Sequence, residues 1–68
     1  MLKIPSYSRG RPKYRFGEKV YVYVPGRSEG IGFVREIRWS PTIGTMYEVV
    51  FDKGGWDLVE GRFVEKVI

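Results

Sequence analysis

"KVYVYV", Lys19 to Val24, alternates valine with a charged or aromatic residue at a period of two. In an extended chain that period sets Val20, Val22 and Val24 on one face and Tyr21 and Tyr23 on the other, so the segment reads as a half-buried β-strand. Its neighbours follow the same pattern. Pro25-Gly26-Arg27-Ser28-Glu29-Gly30 has the turn chemistry of a loop. Ile31 to Trp39 reads as a second strand, in which Gly32, Val34 and Ile37 miss strict alternation by one residue, and a bulge near Arg35-Glu36 restores one inward face. After a loop from Ser40 to Thr45, Met46 to Phe51 sets Tyr47, Val49 and Phe51 on one side and Glu48 and Val50 on the other. Asp52-Lys53-Gly54-Gly55 is a tight hairpin, because its glycines can adopt the positive φ such turns require. Trp56 to Val59 forms a fourth strand, Glu60-Gly61-Arg62 a single turn, and Val64 to Ile68 a short closing strand.

The fold class expected from this pattern is all-β: a small five-stranded antiparallel barrel over residues 16–68, preceded by an extended arm over residues 1–15 that contains Pro5 and Pro12. A closed or nearly closed barrel is expected because open edges expose unpaired backbone groups to other chains. The segments "FGEKVYVYV", "GFVREI", "YEVVFDKGG" and "GRFVEKVI" resemble SH3-like barrels of the Tudor and KOW kind along residues 16–68. That resemblance implies a fold and no particular activity.

Composition narrows the chemistry. Sixty-eight residues make one small domain. The chain has no Cys and no His, so it lacks disulfides, the commonest transition-metal ligands, the usual general base and the strongest nucleophile. Asp52 and Asp57, five residues apart across a glycine turn, suit the turn and solubility better than catalysis. We therefore expect no enzyme activity, no catalytic residue, no cofactor, no metal and no small-molecule substrate. No apolar run approaches the ~18 residues a bilayer span needs, so a soluble, cytoplasmic protein without a membrane partner is expected. The absence of Asn, Gln and Cys beside abundant Lys, Arg and Glu matches a thermophilic source.

Charge is unevenly placed. Residues 1–15 carry Lys3, Arg9, Arg11, Lys13 and Arg15 and no acid, whereas residues 16–68 carry seven basic residues against eight acidic ones. The net charge of +4 thus originates in the arm. Within it, Arg9-Gly10-Arg11-Pro12-Lys13 resembles the core of an AT-hook, with Ser8 where that motif often has proline. The physical reason for the motif is plain. Gly10 lets the backbone press onto a narrow minor groove, and Arg9 and Arg11 can extend along its floor, where negative potential favours inserted arginine. Lys3, Lys13 and Arg15 would meet phosphates, while Arg35, Arg38 and Trp39 would extend the contact onto the barrel. The competing reading of the arm is a solvated basic tail.

Two functions from different classes follow. The first is a DNA-binding protein that favours duplex with little sequence specificity, single-stranded DNA or RNA being an alternative ligand that the sequence does not separate from it; in architecture it resembles the small chromatin proteins of thermophilic archaea, which implies association with the nucleoid. The second is an accessory subunit that meets a protein partner through Tyr21, Tyr23 and Trp56. Such aromatics could also form a cage for a methylated side chain, or simply complete the core.

Overall fold

The computed structural model describes residues 12–67. Lys3, Arg9, Gly10 and Arg11 lie outside the described residues, as does Ile68. Among the described residues five strands form one sheet: β1 (Lys19–Val24), β2 (Ser28–Ser40), β3 (Gly44–Phe51), β4 (Trp56–Glu60) and β5 (Val64–Lys66), with a 3₁₀ turn at Gly61–Phe63 before β5. The order across the sheet is β4-β3-β2-β1-β5, and every pairing is antiparallel.

Strand β2 organises the molecule. Its first half pairs with β1, from Ser28 opposite Val24 to Phe33 opposite Lys19, and its second half pairs with β3, from Gly32 opposite Phe51 to Ser40 opposite Gly44. Where the two ladders overlap, the strand passes from one partner to the other and the sheet curls. The expected bulge is present, since the β2–β3 register shifts between Val34 and Glu36. Arg35 is the extra residue, and its insertion lets both Val34 and Ile37 face inward.

The inner face carries the core: Val20, Val22, Val34, Tyr47, Val49, Val59 and Val64 are buried, with Val24, Ile37 and Phe51 packed against them. Tyr14 joins this cluster, although the sequence division at Phe16 assigns it to the arm. Its hydroxyl donates to the Val64 carbonyl at 3.0 Å, and its ring meets that of Tyr47 edge-on, centroids 5.4 Å apart. The Tyr47 hydroxyl accepts from the Lys13 and Tyr14 amides at 2.9 and 3.4 Å. Burial, with Tyr47 beside it, raises the pKa of the Tyr14 phenol.

Two expectations are corrected. The loops are shorter than their turn residues suggest: Ser28, Glu29 and Gly30 pair with β1, and Ser40 pairs with Gly44, because a ladder continues wherever a backbone partner is in register. Of the closed and nearly closed forms expected, the fully closed one is not reached. Among the described residues no ladder joins β4 to β5, so the architecture is a curled, open five-stranded sheet. Side chains bridge what the backbone does not. Tyr14 ties the chain entry to β5, and Asp57 of β4 accepts from Arg27 at 2.6 Å and from Ser28 at 2.8 Å beside the β1–β2 turn. Among the described residues no helix is long and apolar enough to cross a membrane.

Candidate nucleic-acid interface on the outer sheet face

Residues in register define rows across the outer face. One row runs Lys19, Phe33, Val50, Trp56 through β1, β2, β3 and β4. Phe33 is 41% and Trp56 57% exposed, and Ile31, also exposed, lies two residues before Phe33 on the same face. Three large apolar side chains facing water on one sheet surface make a patch that packing does not explain.

The next row holds the charge. Glu48 stands opposite Glu36, yet Glu48 is only 8% exposed while Glu36 faces solvent. Two arginines cover it. Arg35 places Nε and Nη2 at 3.1 and 3.0 Å from Oε1, and Arg38 places Nε and Nη2 at 3.0 and 2.8 Å from Oε2. The Arg35 guanidinium also lies over the Trp56 ring, 5.0 Å from its centroid, and so links β2 to β4 across β3. The bulge makes this possible, because the inserted residue gives the outer face an additional side chain at that row.

Hydrogen bonds from Arg38 and then Arg35 hold the Glu48 carboxyl below its ordinary pKa of 4.5, overriding the opposing effect of burial. A carboxylate whose pKa is lowered by folding stabilises the protein above the unfolded value, and that stability is lost as pH falls through the folded value. The stability difference between the native chain and Glu48→Gln should therefore be largest at pH 7 and should narrow as pH falls below about 4.5. Urea melts of both chains along a pH series measure it; a difference that stays constant into acid would contradict the clamp. Asp57 follows the same sign: burial opposes ionisation, but the bonds from Arg27 and Ser28 win and lower its pKa, and it is intact in both chains.

The residues singled out from sequence do not form one surface. Arg35 and Arg38 come together on the outer face, but Trp39 pairs with Thr45 in phase with Ile37 and Tyr47, so it belongs to the opposite face and extends past the core, 44% exposed. Alternation after the bulge requires this of adjacent residues. Lys13 and Arg15 are exposed beside the core entry, where the Arg15 amide donates to Glu18 Oε1 at 3.0 Å. Trp56 is separated from Tyr21 and Tyr23 by the width of β2 and β3. The tyrosines instead line a shallow cleft of about 230 Å³ with Pro25, Arg62, Phe63 and Glu65. There the Tyr21 hydroxyl donates to Glu29 at 2.7 Å, which raises its pKa, and Arg62 lies over Phe63 at 4.7 Å. Asp52 and Asp57 are separated as well: Asp52 meets Lys19 at 3.1 Å, and Asp57 meets Arg27.

Sequence reasoning passed over Glu48 and Ile31. A buried outer-face glutamate has no signal of its own; only the register fixed by the bulge shows that Arg35 and Arg38 converge on it. Among the described residues no cluster of three or more potential metal ligands occurs. No known protein family matches this chain, and neither does any curated protein or solved structure.

Proposed function

We propose that this is a small, non-enzymatic DNA-binding protein of the SH3-like kind, in which the N-terminal residues supply the attraction for polyanions and the outer sheet face supplies a contact surface. The observation that carries this reading is the pairing of an exposed aromatic row, Phe33 and Trp56, with Arg35 stacked on Trp56, in a chain whose first fifteen residues hold five positive charges and no negative one. Aromatic rings and planar guanidinium groups suit nucleobases, and the basic segment suits phosphates. Lys3, Arg9, Arg11, Lys13 and Arg15 are assigned to the backbone or groove of duplex DNA, and Arg35 and Arg38 to the contact on the outer sheet face.

The division of labour is testable by deleting residues 1–11, which removes Lys3, Arg9 and Arg11 but keeps the Lys13 and Tyr14 bonds to Tyr47. The truncated chain should melt as the full chain does. If all three cations touch phosphates, its slope of log affinity against log salt should be shallower by about 2.7, with at least about a tenfold loss of duplex affinity at low salt. Titration of duplex DNA into labelled protein at two salt concentrations, followed amide by amide, measures slope and contact surface together. An unchanged slope would move the site to the folded unit.

A second reading, an accessory subunit with a protein partner, is favoured by the cleft of Tyr21, Tyr23 and Phe63. An absence of DNA binding by either chain would support it.

A further inference from the structure

The outer face has more aromatic surface than charge. Residues 12–67 contain nine basic and eight acidic side chains. Most of the basic ones are matched: Lys19 with Asp52, Arg27 with Asp57, Arg62 with Glu60, and both Arg35 and Arg38 with Glu48. Glu36, exposed on the same face, offsets the remaining positive charge of the Arg35–Glu48–Arg38 group. Such a surface attracts phosphates weakly. It nevertheless leaves Phe33 and Trp56 in water on one row, with the short Val50 between them on β3. Two strand spacings set their backbones about 10 Å apart.

We infer that the Phe33–Val50–Trp56 row is a seat for unpaired bases, so that the preferred ligand is duplex DNA with a single-stranded segment. The inference rests on the DNA-binding reading above and names its substrate class. In an intact duplex each base face is covered by its neighbours, and only edges and phosphates can be reached. Rings standing on a sheet face can stack only on bases that have left the helix, and such stacking tolerates any sequence because every base has a π-face. Arg35 strengthens the seat, since Glu48 fixes its guanidinium and the guanidinium lies over Trp56 before any ligand arrives. Charge complementarity identifies the occupant: the five cations of residues 1–15 hold a polyanion near residues 16–68, which carry seven basic and eight acidic side chains. The two parts then read different portions of one ligand, the basic segment the paired region and the sheet face the unpaired one.

The test uses the full chain and three probes: a blunt duplex, the same duplex with a single-stranded tail, and the tail strand alone. At one salt concentration the tailed duplex should bind roughly tenfold more tightly than the blunt one. Trp56→Ala should remove that advantage without changing the salt slope, which the cations of residues 1–15 set, and Phe33→Ala should reduce it in the same direction. Trp39→Ala, on the opposite face, should leave it intact. Equal affinity for blunt and tailed duplexes, or an advantage that survives Trp56→Ala, overturns the inference and leaves the DNA-binding reading standing. Failure of every probe to bind at low salt overturns both.

Discussion

Gly32→Ala should come close to unfolding the protein. Gly32 sits where β2 belongs to two ladders at once, paired with Val20 on one side and Phe51 on the other. A Cβ there would lie 2.2 Å from the Val50 carbonyl oxygen, 2.8 Å from its carbon and 2.9 Å from the Phe51 Cα. All three are backbone atoms, so no side-chain rotation relieves the overlap and the β2–β3 ladder itself must shift. Overpacking costs about 1–3 kcal/mol when side chains can adjust, and here the cost should reach or exceed about 3 kcal/mol. A 68-residue domain has only about 3–10 kcal/mol in all. At about 4–8 °C per kcal/mol the melting temperature should fall by at least about 12 °C. Gly54→Ala is the matched control: its φ of +112° strains any Cβ, but a Cβ there meets nothing within 4 Å, so about 1–3 kcal/mol is lost with the ladder intact. Thermal melts by circular dichroism compare them. A Gly32→Ala chain melting within about 5 °C of the native one would show that the two ladders tolerate a wider separation than the structure gives them.

Tyr14→Ala should be the next most damaging change, at about 3–5 kcal/mol, the range for truncating a buried aromatic side chain. It removes the ring that packs edge-on against Tyr47 and the donor to Val64 that links the chain entry to β5. Tyr14→Phe keeps the ring and removes only that hydrogen bond, so it should cost about 1 kcal/mol, or somewhat more if the Val64 carbonyl finds no water. The difference between the two variants measures how far packing, rather than polarity, closes the open side of the sheet. Truncation gives an independent check: removing residues 1–11 should leave the melt unchanged, whereas extending the deletion through Tyr14 should unfold the domain. A Tyr14→Ala chain as stable as Tyr14→Phe would mean that the ring contributes nothing to the core.

Much of this fold was legible because strand alternation is a local property. Val20, Val22, Val34, Tyr47, Val49 and Val59 face inward as the period of two requires, and even the bulge at Arg35 announced itself as a one-residue break in that period. Strand ends were less legible. Turn-forming residues such as Ser28 and Gly44 can also pair in a ladder, and pairing depends on a partner distant in sequence. The site was legible only in part. Arg35 and Arg38 were recognised as basic, but not as two arms closing on one carboxylate; Trp39 was grouped with them by adjacency, although adjacent strand residues face opposite ways.

Spacing and composition were enough for the class of the fold, the five strands, the alternation that turns Val20, Val22, Tyr47 and Val49 inward, and the concentration of positive charge in residues 1–15. The tertiary structure alone decided that Tyr14 belongs to the core, that Glu48 is covered by two arginines, and that Phe33 and Trp56 share a row. Those facts depend on register between strands far apart in the chain, and register is set by long-range backbone pairing about one bulge rather than by any single segment.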